Sequence, residues 1–160
     1  MKSLPTVRVE TIIPAPRQAV WDVLVDFARY PEWNPFTIRV ETAGRIGDSV
    51  RMDVNLGGWR LKMRERLRVF EPPHRIGWGL HLLGGRLLDC TRVQELESIG
   101  ERETRYICQE SFRGLSVPLF FGAFRQAMQD GFEANAKALA RRVAQLSPAQ
   151  TPEVIREERG

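Results

Sequence analysis

The 160 residues carry 24 Lys and Arg against 20 Asp and Glu, with 42% hydrophobic and 28% charged side chains. This length suits one domain and leaves nothing for a second, and the apolar share can fill a core. Met1 to Glu10 has no apolar h-region and no run approaches about 18 apolar residues, so neither a signal peptide nor a transmembrane helix is expected and the chain reads as cytoplasmic. The net charge of +4 raises nucleic-acid binding, but Arg60, Lys62, Arg64, Arg66 and Arg68 alternate as one solvated sheet face does. Neither a recognition helix nor exposed stacking aromatics accompany them, so nucleic acid is not an expected partner.

Val7 to Ile13 alternates apolar and polar residues and predicts a first strand. Pro14-Ala15-Pro16 breaks it. Pro16 suits a helix start, and Ala19, Val20, Val23, Leu24 and Phe27 recur at helical spacing. Pro31 and Pro35 prevent one continuous helix through Tyr30–Phe36. From Phe36 to Arg113 only strands and turns follow. Phe36, Ile38 and Val40 mark one; Val50, Met52, Val54 and Leu56 the next; Gly57-Gly58 then turns into Trp59, Leu61, Met63, Leu67 and Val69. Pairing Leu56 with Trp59 sets Val54 opposite Leu61 and Met52 opposite Met63, so both apolar sets share a face. Pro72-Pro73 ends that run. Ile76, Trp78 and Leu80 form another, and two long strands run from about Leu87 to Ser98 and Glu103 to Arg113. Val117, Phe120, Phe124, Met128, Phe132, Asn135, Leu139, Val143 and Leu146 then predict one long amphipathic helix. Residues 1–146 are thus one domain and residues 147–160 a flexible tail. Seven antiparallel strands and one long helix form an α+β fold only if the sheet curls around the helix, which leaves space between them.

Specific words sharpen this. Pro14-Ala15-Pro16 leads into Val20-Trp21, and Asp26 to Phe36 reads Asp-Phe-Ala-Arg-Tyr-Pro-Glu-Trp-Asn-Pro-Phe. Glu71-Pro72 precedes Trp78, and Thr104-Arg105, Glu110, Phe112 and Gly114 lead into the last helix. Over Val7 to Leu146 the chain resembles the START and birch-pollen-allergen (SRPBCC) superfamily, in its bacterial polyketide cyclase/dehydrase-like branch. The resemblance implies the helix-grip fold, with two short helices after the first strand. It implies less about chemistry, because that superfamily spans lipid carriers, aromatase/cyclases and hydrolase-like proteins.

Strand parity names the cavity-facing set. It comprises Trp59, Leu61, Met63, Glu65, Leu67 and Val69 on the hairpin strand, then Ile76, Trp78 and Leu80. The sixth strand is ambiguous by pattern; the resemblance selects Leu88, Cys90, Arg92, Gln94 and Leu96 as inward. Thr104, Tyr106, Cys108, Glu110 and Phe112 are inward on the seventh. A short turn near Gly100 brings Arg92 within reach of Glu110, and an ion pair is the expected way to keep both charges inside. The same pair could simply lock two strands, and Glu110 matches a glutamate of the family. Glu65 is expected at the rim or sheet margin. Trp33 and Asn34 are expected to pin a turn, with Asn34 capping backbone groups. His74 and His81 fall outside the cavity, and Cys90 and Cys108 read as reduced core thiols.

Two functions follow. The first is binding of a lipid-, quinone- or polyketide-like molecule by Trp59, Met63, Trp78, Cys90, Gln94, Tyr106, Cys108, Phe112, Phe120, Phe124 and Met128. The alternative is a cyclase, aromatase or dehydratase using Glu110 as acid or base and Arg92 to hold a carbonyl or enolate oxygen. No HExxH, CxxC pair, nucleotide loop or nucleophilic triad is present, so neither metal nor cofactor is expected. The expected partner is a hydrophobic small molecule, without integral membrane association, and the chain is a monomer or homodimer.

Overall fold

The computed structural model describes residues 4–147. Strand β1 (Thr6–Ile13) is followed by helix α1 (Arg17–Val25), a 3-10 turn (Phe27–Arg29) and helix α2 (Tyr30–Trp33). Six strands come next: β2 (Thr37–Glu41), β3 (Ser49–Leu56), β4 (Trp59–Glu71), β5 (Arg75–Leu82), β6 (Leu88–Gly100) and β7 (Glu103–Arg113). Helix α3 (Val117–Leu146) closes the domain. All strands lie in one antiparallel sheet of order β1-β7-β6-β5-β4-β3-β2. This is the predicted helix-grip fold. The expected tail, residues 147–160, falls outside the described residues apart from Ser147.

Strands β5 and β6 approach closely at two glycines. Gly77 and Gly79 leave no side chain on β5 there, and a Cβ on Gly79 would overlap the Cys90 carbonyl. The β3–β4 hairpin keeps the predicted register, with Leu56 opposite Trp59, Val54 opposite Leu61 and Met52 opposite Met63. Inward residues of β6 are Leu88, Cys90, Arg92, Gln94 and Leu96, as expected.

Two bulges change the parity elsewhere. In β2 the register shifts between Thr37 and Arg39, so Thr37 is buried while Ile38 is not. In β4 it shifts between Leu67 and Val69. Phe70, rather than Val69, therefore packs on the core, with its ring centroid 5.9 Å from that of Trp21. At the other end of β4, Trp59 and Leu61 project past the core into solvent, contrary to their predicted place in the cavity.

Helix α3 buries Met128, Phe132, Asn135, Ala136, Leu139 and Val143 along one stripe. Between Val117 and Met128 none of its residues is fully buried, so its first turns form a roof rather than core. Phe36 stacks edge-on against Phe132 at 5.4 Å, and a Cβ on Gly131 would overlap the Phe36 ring. No described helix is long and apolar enough to cross a membrane.

The two helix glycines make opposite predictions. Gly122→Ala, with open space around its Cβ, should raise stability by about 0.5–1 kcal/mol. Gly131→Ala should lower it by about 1–3 kcal/mol by displacing Phe36. Urea midpoints of the two variants check both signs.

Candidate functional site

A cavity of about 120 Å³ lies between the concave sheet face and the first half of α3. Its apolar wall comes from Phe36, from Met52, Val54 and Leu56 on β3, and from Met63 on β4. Trp78, Leu80, Leu88, Cys90 and Phe112 form the floor, and Phe120 and Met128 the roof. Three ionisable residues enter it: Glu65, Arg92 and Glu110. Two larger depressions open on the molecule's surface: one of about 430 Å³ is lined chiefly by charged side chains, and one of about 530 Å³ mixes Arg64, Arg66 and Arg68 with Ile46, Leu67 and Leu80 and touches Glu65 from outside.

Arg92 is 5% exposed, yet it makes no ion pair within 4.0 Å among the described residues. The expected bridge to Glu110 is absent although the two residues are directly opposite in the sheet. Instead Nε donates to the Cys108 sulfur at 3.2 Å and a terminal nitrogen donates to Thr37 Oγ1 at 3.0 Å. Its carbon Cζ lies 5.1 Å from the Phe36 ring centroid and 4.6 Å from that of Phe132. Two aromatic faces, a thiol and a hydroxyl hold a cation that burial would otherwise make costly. Of the five guanidinium N–H donors, three have no acceptor among the described residues.

Asn34 prepares this arrangement. Its Oδ1 accepts the backbone N–H groups of Phe36 at 3.1 Å and Thr37 at 2.9 Å, the capping expected of it. The turn thereby presents one ring and one hydroxyl to Arg92. Thr37 and Phe36 were legible as neighbours of Asn34, but their partner was not.

Glu65 is 6% exposed and lines the cavity, not the rim. The β4 bulge and the Glu71–Arg75 pairing across the following turn slide it to within a row of Cys90 and Arg92. Burial and then the neighbouring Glu110 carboxylate push its carboxyl up to about 8, against the opposing pull of Arg92 and Arg68. Glu110 is raised by burial as well, and Arg92 and the Cys90 thiol pull it back. Neither carboxyl forms an ion pair among the described residues. The cavity therefore holds two interacting acids of which one keeps its proton near neutrality.

The remaining predicted residues divide. Met63, Trp78, Cys90, Phe112, Phe120 and Met128 line the cavity. Gln94, Tyr106 and Cys108 lie behind it, where Tyr106 Oη donates to Gln94 Oε1 at 2.7 Å and accepts from Asn135 Nδ2 at 3.0 Å. That network joins β6, β7 and α3; Asn135 stood in the helix stripe without a role until the fold placed it. Phe124 is partly exposed, stacking on Phe120 at 5.0 Å, and Trp59 is outside the cavity altogether. His74 approaches Arg17, and His81 lies 3.3 Å from Asp89, both away from the cavity. Among the described residues no three His, Cys, Asp or Glu side chains could hold a metal ion.

The sequence profile described as polyketide cyclase/dehydrase and lipid transport matches residues 5–145. The chain belongs to that family. No curated protein matches it at significant similarity. Among solved structures, a protein from Thermus thermophilus is similar at 23% identity and TM-score 0.68, covering 90% of this chain and 100% of its own. A START superfamily protein from Mycobacterium smegmatis is similar at 21% identity and TM-score 0.69, covering 89% and 99%. The Zhui aromatase/cyclase from Streptomyces sp. R1128 is similar at 18% identity and TM-score 0.69, covering 91% and 97%. These likenesses establish the fold. The chemistry of this cavity rests on its own residues, above all Glu65, Arg92 and Glu110.

The Glu65–Glu110 pair makes stability depend on pH with a definite sign. An unfolded glutamate releases its proton near pH ~4.3, whereas folded Glu65 retains it to about 8. Across that window the folded state binds more protons, so stability falls as pH rises, and the loss is complete above about 8. Glu65→Gln should lessen the slope, leaving the part that Glu110 contributes, and exceed the wild type by a few kcal/mol at alkaline pH, read from urea unfolding on both sides of the window.

Proposed function

We propose that this protein binds a small, mainly apolar molecule carrying a carbonyl or similar oxygen, with the oxygen on Arg92 and the hydrocarbon against Trp78, Phe112, Phe120 and Met128. What carries this reading is a buried guanidinium with three uncommitted N–H donors at a cavity whose lining, apart from Glu65 and Glu110, is apolar. The volume bounds the occupant. About 120 Å³ is close to an apolar cavity that takes one benzene ring, so a single ring fits the arrangement seen. A multi-ring or lipid-like molecule requires the α3 turns between Val117 and Met128 to shift, and that stretch has no fully buried residue of its own.

The second reading, a cyclase- or dehydratase-type reaction, draws on the carboxyl pair. An ionised Glu110 could take a proton from carbon next to a carbonyl while Arg92 holds the enolate oxygen, and protonated Glu65 could return a proton to the product. The likeness to an aromatase/cyclase supports the fold for such chemistry at 18% identity. Glu65 takes a role here although its expected strand registers had set it at the rim.

Calorimetry with acetophenone and ethylbenzene tests the binding reading. Acetophenone should bind more tightly, and Arg92→Met should erase about a tenfold preference, the worth of one hydrogen bond to a charged group. Val54→Phe, which fills the cavity, should abolish binding of both. Equal affinities in the wild type would sink the assignment of Arg92. For the second reading, Glu110→Gln should keep acetophenone affinity within a small factor yet stop deuterium exchange at its methyl group. Exchange that continues in the variant would remove Glu110 as the base.

A further inference from the structure

The four most exposed large apolar side chains among the described residues are Leu115 at 84%, Leu119 at 83%, Leu83 at 77% and Trp59 at 74%. They lie far apart in sequence but at one end of the fold. Leu56 opposite Trp59, Leu82 opposite Leu88 and Asp89 opposite Arg113 place the β3–β4 hairpin, the β5–β6 hairpin and the start of α3 along the same sheet edge. Backbone bonds from Leu115 to Arg86 at 2.9 Å and from Ser116 to Leu87 at 3.1 Å tie the last two together. Leu56, Leu88, Phe112 and Phe120 at this same end line the cavity. The apolar tips therefore surround the end of the molecule that leads to it.

Charge follows the same boundaries. Residues 54–64, 80–88 and 111–129 contain no Asp or Glu, yet they carry Arg60, Lys62, Arg64, Arg86, Arg113 and Arg125. Of the carboxylates just beyond these segments, Asp53 pairs with Arg60 at 3.1 Å and Asp89 with Arg68 at 2.8 Å, while Asp130, exposed and accepting from Gln126 at 2.8 Å, lies more than two turns along α3 from Leu119. Glu65 and Glu110 face the cavity. Leu83 adds an independent sign. It is the one non-glycine residue with positive φ among the described residues, at 50°, and it sits at a hairpin tip. A β-hairpin that holds leucine in a left-handed conformation, with Gly84 and Gly85 beside it, bears strain in order to aim an apolar side chain at solvent.

We propose that this end of the molecule docks on the surface of an anionic lipid bilayer, inserting Trp59, Leu83, Leu115 and Leu119 among the lipids while the surrounding Lys and Arg side chains contact their headgroups. Separate protruding tips suit a surface that yields around them, whereas a folded partner would need a matching relief. Tryptophan favours the depth between headgroup and acyl chain, and a cationic, carboxylate-free surround matches a negative membrane surface. Docking in this pose turns the cavity toward the bilayer, where apolar molecules dissolve. The docking stands without the small-molecule reading, which supplies only its purpose.

The intact chain with vesicles of phosphatidylglycerol and phosphatidylcholine, compared with phosphatidylcholine alone, tests this. The mixed vesicles should sediment the protein, and brominated lipid should quench its emission, a quenching lost in Trp59→Phe because the other tryptophans are more sheltered. Leu83→Ser/Leu115→Ser/Leu119→Ser should weaken binding by roughly tenfold or more with an unchanged melting temperature. Lys62→Gln/Arg86→Gln/Arg125→Gln should weaken it on the anionic vesicles only. No sedimentation, or binding that survives the leucine substitutions, overturns the proposal. So does a concentration-dependent dimer, or a complex with an acidic protein, that those substitutions abolish while vesicles are ignored.

Discussion

A single buried cation organises this domain. The Arg92 guanidinium lies between the rings of Phe36 and Phe132 and donates to Thr37 and Cys108, so it touches α3, β7 and the segment leading into β2 from its own strand β6. Elements remote in sequence must meet around it, because a desolvated charge without these neighbours would cost several kcal/mol. The Asn34 turn, the absence of a side chain at Gly131 and the Thr37 bulge all serve that meeting.

The choice of rings and a thiol over a carboxylate has an electrical consequence. A bridge to Glu110 would neutralise both partners and leave the cavity inert. With Arg92 held otherwise, Glu110 feels its charge without being consumed by it, and Glu65 is left to share the remaining acidity. Two carboxyls and one cation in an apolar enclosure therefore remain responsive to what enters. Behind them the Gln94–Tyr106–Asn135 bonds fix α3 on the sheet, so the cavity has a rigid back and a lightly anchored roof.

Much of this was legible in particular residues. The period-two runs set the β3–β4 register, the three-and-four spacing from Val117 set α3, and the word from Tyr30 to Phe36 pointed to the family. Glu110, Met63, Trp78 and Phe112 followed from parity, whereas Arg92 and Cys90 on the ambiguous sixth strand followed from the family resemblance. Parity failed at both bulges, since one extra residue reverses every later side chain: Phe70 replaced Val69 and Thr37 replaced Ile38. It also could not say where a strand outruns the core, which is why Trp59 was misplaced.

The sequence by itself determined the order of elements, the curled sheet and the presence of inward charge, because alternation and helical spacing are local properties of the chain. Only the tertiary structure decided which charges meet. Arg92 turns from Glu110 toward two rings contributed from before β2 and from α3, and Glu65 moves from the expected rim to the cavity wall. Side-chain direction and bulge position depend on neighbours more than fifty residues away, such as Thr37 for Arg92, and no local pattern encodes them.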